Sequence, residues 1–267
     1  MLTASKKIKL LNALKAYSKK FLHGKITELD ESGTRLMVNT FLTDVLGFIP
    51  IEEIKTEYMI RGTYADYVIQ TKEVRQFLVE VKALSFGLTD KHLRQTINYG
   101  ANEGIEWALL TNGKCFDFYK ILFNKPIESR KIFSIDLSDQ TQIKNCVEVI
   151  QYIHKDSIAN KGLLSLWNKT CALDPSNVAG LLFDQSVTNF IKRTLKKKFK
   201  SKFSDDEIQA SINRIIIEPI SLENIKHPKF KKGKKKEPKN KSSETTLTDL
   251  EPLHVEKSNE HPAEENS

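Results

Sequence analysis

The sequence predicts an α/β fold in which helices flank a mixed β-sheet, and three observations support that class. Apolar residues recur at helical spacing over residues 5–22 and 31–46. Short runs rich in β-branched and aromatic residues begin at residue 54 and are separated by turn-forming residues. A further helical pattern over residues 89–103 divides these runs. The order of helix, three strands, helix and two strands therefore implies a sheet packed between helices.

Two helices are predicted before the first strand. Residues 1–27 contain seven lysines and no acid, which indicates an amphipathic helix with a basic face. A transit peptide is the alternative, but the arginines typical of one are absent. The helix over residues 31–46 begins after Asp30, a residue type that caps helix N-termini. It ends at Gly47, since glycine is common just beyond a helix C-terminus.

The β-rich runs define the sheet. Three strands are predicted first, at residues 54–60, 64–70 and 75–83. After the helix, residues 105–111 and 114–121 flank Asn112-Gly113, a residue pair typical of a tight hairpin turn. Residues 131–137 are predicted to form a last strand.

The C-terminal half is predicted to contain a smaller helical region and a charged tail. Helical patterns cover residues 139–155, 158–172, 175–199 and 204–217. In the tail, residues 226–241 hold nine lysines against one acid, and residues 242–267 hold seven acids against one lysine. Because so polar a tail cannot bury enough apolar surface to offset its ordering entropy, it is predicted to be disordered. The predicted divisions are a domain at 1–138, a helical region at 139–221 and a tail at 222–267.

Charge and cysteine usage narrow the class of protein. The formal net charge is +8 and the isoelectric point about 9.2, which favours an acidic partner, most commonly a nucleic acid.

Cys115, Cys146 and Cys171 form no CxxC pair, so reduced thiols in a cytoplasmic protein are expected rather than disulfides or a thiolate zinc site. Apolar runs are too short for a membrane span or a signal peptide.

The strand over residues 75–83 carries the first chemical signal. Its long apolar run is typical of a strand covered on both faces. Glu80 and Lys82 interrupt the run, and the period of two places both side chains on one face, opposite Val79 and Val81. Charges in such a strand cost several kcal/mol each unless they are paired or bound to a metal. A mutual Glu80–Lys82 ion pair on a partly exposed sheet face is the alternative to a functional site.

Asp66 favours the functional interpretation. It lies in the strand that precedes the Glu80 strand across a short turn, so antiparallel pairing can bring the two carboxylates side by side. Two carboxylates beside an ammonium form an oxygen-rich site suited to Mg²⁺. A metal there lowers the pKa of bound water and neutralises charge on a phosphate. Lys82 could orient or deprotonate that water, or stabilise the developing charge.

These residues resemble a known nuclease signature. Asp66, followed fourteen residues later by Glu80-Val-Lys82, resembles the D…ExK motif of the PD-(D/E)xK nuclease superfamily, with Ala65 in place of the usual proline. More narrowly, residues 31–137 resemble the N-terminal nuclease domain of type I restriction enzyme R subunits and their stand-alone relatives. The matching segments are Glu31-Ser-Gly-Thr-Arg35, Phe41-Leu-Thr-Asp-Val-Leu-Gly47, Ala65-Asp-Tyr-Val-Ile69, Val79-Glu-Val-Lys82, Gln95-Thr-Ile-Asn-Tyr99 and Trp107-Ala-Leu-Leu-Thr-Asn-Gly113.

The resemblance implies a restriction-endonuclease-like fold and a set of site residues. The implied catalytic residues are Glu31, Asp66, Glu80 and Lys82, of which the three acids would hold Mg²⁺ or Mn²⁺. Glu31 matches the acid that reaches the metal from the first core helix; an ordinary helix-start acid favoured by the macrodipole is the alternative.

Three further residues are implied to contact or support the substrate. Gln95 and Tyr99 match a QxxxY motif, and their spacing predicts that they share one helix face and contact the phosphate backbone or support the site. A polar pair on a helix surface is the alternative. Arg35 lies one turn after Glu31 and is predicted to contact it or DNA.

The predicted function is a cytoplasmic, metal-dependent deoxyribonuclease with a role in restriction, phage defence or repair. A non-catalytic nucleic-acid-binding protein and an accessory nuclease subunit that is active only in a complex are the alternatives. The expected partners are DNA, and a second copy or a helicase or specificity subunit. The chain has no GxxxxGK[ST] motif, so a self-contained translocating motor is not indicated.

Overall fold

The structure is a computed structural model that describes residues 1–24, 28–60 and 63–217. The strands are β1 (Ile54–Ile60), β2 (Thr63–Thr71), β3 (Val74–Val81), β4 (Trp107–Thr111), β5 (Cys115–Leu122) and β6 (Glu128–Asp136). The helices are α1 (Ala4–Phe21), α2 (Glu31–Thr40), α3 (Arg94–Glu103), α4 (Ile143–Ile150), α5 (Lys155–Ile158), α6 (Gly162–Ala172), α7 (Pro175–Leu182), α8 (Gln185–Phe199) and α9 (Asp205–Ile217). A π-helical turn, Phe41–Val45, continues α2, and a 3₁₀ turn, Asp90–Leu93, leads into α3.

The six strands form one mixed sheet in the order β1-β2-β3-β4-β5-β6. β3 and β4 are parallel, whereas the other neighbouring pairs are antiparallel. The chain crosses from β3 to β4 through α3, because parallel neighbours need a long connection. The predicted α/β fold with a mixed sheet and flanking helices is confirmed.

A larger core covers one face of the sheet. Phe77, Val79 and Val81 of β3 belong to it, together with Leu14 of α1 and Ile150 of α4, all buried. At the hairpin that joins β4 to β5, the Tyr17 hydroxyl of α1 donates to the Gly113 carbonyl over 2.6 Å. Gly113 has a φ of +79°, a conformation that favours glycine, as expected for the predicted Asn112-Gly113 turn.

A smaller core lies on the opposite face, under α3. Leu78, Leu110 and Ile121 project from the sheet against Tyr99 of α3, and all four are buried. The alternation of Phe77, Leu78 and Val79 between the two cores follows from the period of two along a strand. β3 is therefore covered on both faces, as its apolar run predicts.

The helical region differs from its predicted boundaries. The helix predicted over residues 175–199 is two helices, because Asp184 takes an extended conformation and its carboxylate accepts from the Ser186 amide over 2.8 Å, which starts α8. Residues 158–172 likewise divide between α5 and α6, and the helix predicted over 139–155 shortens to α4.

Residues 1–218 form one compact unit. The predicted functional division at residue 138 stays a prediction, and the tail predicted to be disordered, 222–267, lies outside the described residues. Within the described part of the chain, no helix is long and apolar enough to cross a membrane.

Close packing of α3 on the sheet gives a first prediction. A Cβ added at Gly100 would lie 2.7 Å from the Ile105 carbonyl oxygen and 2.7 Å from Cδ1 of Ile121. We therefore expect Gly100→Ala to destabilise the protein by about 1–3 kcal/mol through overpacking, despite the better helix propensity of alanine. Gly180→Ala in α7 is the matched control, because nothing lies within 4 Å of its added Cβ. Urea unfolding should separate the two variants, and equal stabilities would contradict the packing argument.

Candidate active site

β3 and the residue that follows it provide the centre of the site. Glu80 shares a face with Leu78 and is 7% exposed, whereas Val79 and Val81 point into the larger core. Lys82 follows the last residue of β3, and its amide donates to the Thr111 carbonyl of β4 over 2.8 Å. Its ammonium lies 2.7 Å from Oε1 of Glu80. The predicted sharing of one face by Glu80 and Lys82 is therefore present.

Asp66 reaches the same place from β2. Its Oδ2 accepts from the Val81 amide over 2.7 Å, and its Oδ1 accepts a hydrogen bond from the Arg35 guanidinium of α2. The Asp66 side chain is 9% exposed. Its carboxylate therefore joins the end of β3 to α2 and is fixed on both oxygens.

Glu31 completes the cluster from the first turn of α2. Asp30 caps that helix by accepting from the Gly33 amide over 2.7 Å, so Glu31 takes the first helical position. Oε1 of Glu31 lies 3.4 Å from the Lys82 ammonium. Its side chain is 45% exposed, so the cluster opens to solvent on the α2 side.

The structure thus brings Glu31, Asp66, Glu80 and Lys82 together, with Arg35 as a second cation. Burial is the largest influence on Glu80 and raises its pKa above the ordinary value, although hydrogen bonds from Lys82 and Thr96 lower it in part. For Lys82, burial lowers the pKa, but the hydrogen bond and charge of Glu80 outweigh it and raise the pKa overall. Lys82 therefore keeps its proton at neutral pH.

Thr96 is a site neighbour that the sequence did not reveal. It lies on the buried face of α3, is fully buried, and its hydroxyl donates to Oε2 of Glu80 over 3.0 Å. Both Glu80 oxygens are therefore engaged, one by Lys82 and one by Thr96. The available signal was a hydroxyl residue within the Gln95-Thr-Ile-Asn-Tyr99 motif, at a helix position three residues before a buried aromatic residue.

Removing this hydroxyl gives a second prediction. The Thr96 hydrogen bond lowers the pKa of Glu80, so Thr96→Val should raise that pKa further. For the deoxyribonuclease predicted from the sequence, this change would move the acid limb of the cleavage–pH profile to higher pH. Loss of one hydrogen bond to a charged group should lower cleavage at neutral pH by roughly tenfold to a hundredfold. Thr96→Ser keeps the hydroxyl and should retain the parental profile. An unchanged acid limb in Thr96→Val would show that this contact does not tune Glu80.

The three predicted substrate residues lie in different surroundings. Gln95 is exposed on α3, but Tyr99 is fully buried in the smaller core, because the buried face of that helix runs through Thr96, Tyr99 and Gly100. Of the two residues, only Gln95 is therefore exposed to a ligand. Support of the site by Tyr99 stays a prediction. Arg35 pairs with Asp66, a partner that the sequence did not indicate.

The donor chemistry of the cluster fits Mg²⁺ or Mn²⁺, since carboxylate oxygens are the ligands these ions prefer. In the present side-chain positions, however, Lys82 contacts Glu80 and Glu31 while Arg35 contacts Asp66. Among the described residues, no three His, Cys, Asp or Glu side chains are already placed to hold a metal. Metal binding would therefore require carboxylates to exchange a cationic partner for the ion.

The part of the chain that resembles known proteins is the part that holds the site. The family model for the type I restriction enzyme R protein N terminus matches residues 30–130, a range that contains α2, β1–β5, α3 and the whole cluster around Glu80. No curated protein and no solved structure matches the chain. The resemblance predicted from the motifs is therefore confirmed: residues 30–130 are similar to the N-terminal domain of type I restriction enzyme R proteins.

Proposed function

We propose that the chain is a metal-dependent deoxyribonuclease that hydrolyses phosphodiester bonds. The match to a restriction enzyme N-terminal domain indicates a nuclease-type function. The observation that carries the finer proposal is the convergence of Glu31, Asp66 and Glu80 on Lys82 at the end of β3. Carboxylates that face a phosphate repel it, so they would weaken a surface that only binds DNA. A hydrolytic site, by contrast, needs carboxylates to hold a metal.

The acids and the lysine have distinct roles in this proposal. Asp66, Glu80 and Glu31 would hold Mg²⁺ or Mn²⁺, which supplies an activated water and neutralises charge on the scissile phosphate. The Asp66 carboxylate, fixed by Arg35 and the Val81 amide, holds its own position while Glu80 is oriented by Thr96.

Lys82 acts as a cation rather than as a base in this proposal. Although burial lowers its pKa, the hydrogen bond from Lys82 to Glu80 and the charges of Glu80, Glu31 and Asp66 raise it overall, so the ammonium is protonated in the metal-free arrangement. A protonated amine can stabilise the charge that develops on the phosphate or orient the attacking water.

An accessory nuclease subunit is the second candidate. The matched family is the N-terminal part of R proteins, and it covers residues 30–130 of this chain. A helicase or specificity subunit is the corresponding partner, and its docking could supply the contacts that commit DNA to cleavage. In that case the isolated chain would bind DNA but cut it slowly.

Cleavage by the purified full chain tests the proposal directly. Supercoiled and linear DNA are incubated with Mg²⁺, Mn²⁺ or EDTA, and the products are separated on a gel. Nicked or linear products from the supercoiled form indicate endonuclease action, whereas shortening of linear DNA alone indicates exonuclease action. Binding without cleavage in Mg²⁺ and in Mn²⁺ would support the accessory or the non-catalytic alternative, which addition of a partner subunit would then separate.

A further inference from the structure

A dense group of cations lies on α8 and the loop after it, outside the range of the family match. Residues 185–204 contain seven lysines and arginines and no acid. We call these seven residues the α8 cationic surface: Lys192, Arg193, Lys196, Lys197, Lys198, Lys200 and Lys202. Nothing in the proposed catalytic cluster uses them.

Most of these charges have no acidic partner among the residues that the structure describes. Lys192 lies 2.5 Å from Oδ1 of Asp205 at the start of α9. The other six side chains are exposed, and none forms an ion pair within the part of the chain that the structure describes. Like charges four residues apart on a helix repel, as in the Arg193–Lys197 and Lys192–Lys196 pairs. The helix therefore carries a charge pattern that opposes its own folding.

The helix macrodipole accounts for only part of the pattern. Lysines in the last turn, Lys196 to Lys198, interact favourably with the helix C-terminus. Arg193 precedes that turn, and Lys200 and Lys202 follow it. Lys200 has a φ of 61°, a conformation in which glycine or asparagine is favoured. Positive charge therefore extends to both sides of the last turn, where the macrodipole does not account for it.

The surface also has a suitable shape and set of donors. A groove of about 640 Å³ is lined by Lys192, Arg193, Lys196 and Lys202, with Asn189 and Phe203 beside them. Lysine, arginine and asparagine side chains are among the usual donors to DNA phosphates. The seven residue steps from Lys192 to Phe199 span about 10 Å of helix, over which duplex DNA carries roughly six phosphate charges.

We propose that the α8 cationic surface binds the phosphodiester backbone of duplex DNA. The inference rests on DNA as the substrate of the proposed nuclease, and assigns a second contact surface to it beyond residues 30–130. Lysines interact with phosphate as mobile point charges, so the surface adds affinity and salt dependence without sequence preference. DNA binding through this surface does not require the metal.

Binding of a fluorescent duplex to the full chain, measured by anisotropy in EDTA over a range of salt concentrations, tests the surface. The triple variant Arg193→Gln, Lys196→Gln, Lys197→Gln should bind roughly tenfold more weakly, and its salt slope should fall by up to about 2.7 units, or about 0.9 per lost contact. The control Lys9→Gln, Lys15→Gln, Lys19→Gln makes the same charge change on exposed positions of α1 and should change affinity less than twofold. The corresponding Lys→Arg double variant at 196 and 197 should bind like the parent.

Several outcomes would overturn the assignment. An unchanged salt slope in the triple variant would show that this surface does not contact DNA phosphates. An equal loss in the α1 control would show that net charge rather than this surface determines the affinity. The comparison is repeated in a chain that ends at residue 225. If the parent and the triple variant differ in DNA binding only when residues 226–267 are present, the α8 cationic surface would be assigned to the acidic segment of the same chain rather than to DNA.

The test also separates this inference from the proposed nuclease. A chain that loses DNA binding in the triple variant but never cleaves in Mg²⁺ supports the surface and contradicts the nuclease. A chain that cleaves and binds equally well with and without the three substitutions supports the nuclease alone. Melting curves should show the triple variant folded, since glutamine is a good helix former and the repulsion is reduced.

Discussion

Replacing Glu80 by glutamine is expected to lower DNA cleavage by on the order of 10³-fold, to near the background of the assay. Glutamine has nearly the same shape, so the contacts of β3 with α3 should survive. It removes the charge that would hold the metal and that contacts the Lys82 ammonium over 2.7 Å. Initial rates of plasmid nicking under saturating Mg²⁺ measure the effect.

Asp66→Asn and Lys82→Gln should have effects of the same size for different reasons. The Asp66→Asn substitution keeps an acceptor for the Val81 amide but removes the charge that pairs with Arg35. The Lys82→Gln substitution leaves Glu80 and Glu31 without their shared cation. Because these residues act as a unit, combining either substitution with Glu80→Gln should lower cleavage no further than the single substitutions do.

A matched control comes from a second Lys–Glu pair on the same sheet. Glu106 forms an ion pair with Lys120, whose ammonium also lies 4.7 Å from the centre of the Trp107 ring. Glu106→Gln removes one carboxylate from a lysine pair outside the catalytic cluster and should leave cleavage unchanged. Full activity of Glu80→Gln, or an equal loss in Glu106→Gln, would contradict the proposed site. Melting curves must accompany the rates, because unpairing a buried charge can unfold a domain.

The strand geometry of the site could be predicted from local sequence pattern. The period of two places Glu80 and Lys82 on one side of the extended chain at the end of β3, whatever the rest of the fold does. A short turn between two β-rich runs makes antiparallel pairing of the Asp66 strand with the Glu80 strand the simplest arrangement, and β2 and β3 do pair in this way. Both inferences need only information from neighbouring residues.

The contacts of Thr96 and Arg35 could not be predicted in the same way. Thr96 meets Glu80 because α3 crosses over the end of β3, and the rotation of that helix depends on how Tyr99 and Gly100 pack below it. Arg35 contacts Asp66 because α2 lies beside β2, where the Tyr67 hydroxyl also donates to the Arg35 carbonyl. Helix spacing predicts only that Glu31, one turn away, lies near Arg35. It carries no information about Asp66, thirty-one residues further along the chain.

The helix break at Asp184 has a local cause that is visible in the sequence. Asp174-Pro175-Ser176 and Asp184-Gln185-Ser186 both place an Asp two residues before a Ser, and in both the Asp carboxylate accepts from the Ser amide at a helix start. An aspartate at an N-cap position indicates the start of a new helix, yet the apolar periodicity continued across residue 184 and favoured one long helix. Periodicity describes the buried face and is less sensitive to a two-residue break.

Cleavage is expected in Mg²⁺ or Mn²⁺, with no cleavage in EDTA and little in Ca²⁺. The three carboxylates and two cations of the cluster sum to a charge of −1, so a divalent ion is attracted but must displace Lys82 or Arg35 from its partners. Ca²⁺ has longer and looser coordination, so it should permit DNA binding but position the reacting groups poorly. Gel assays with each metal over a concentration series measure turnover, and anisotropy measures binding under the same conditions.

A readout without DNA separates metal binding from catalysis. Mn²⁺ that binds only the folded protein raises its melting temperature in proportion to the logarithm of metal concentration. The parent chain should show this rise, whereas Asp66→Asn with Glu80→Gln should lose it and Glu106→Gln should keep it, because only the first variant removes proposed ligands. Cleavage that survives exhaustive chelation would rule out the metal mechanism. A melting temperature that rises equally in all three proteins would instead place the bound metal away from Asp66 and Glu80, even if the cluster is essential for cleavage.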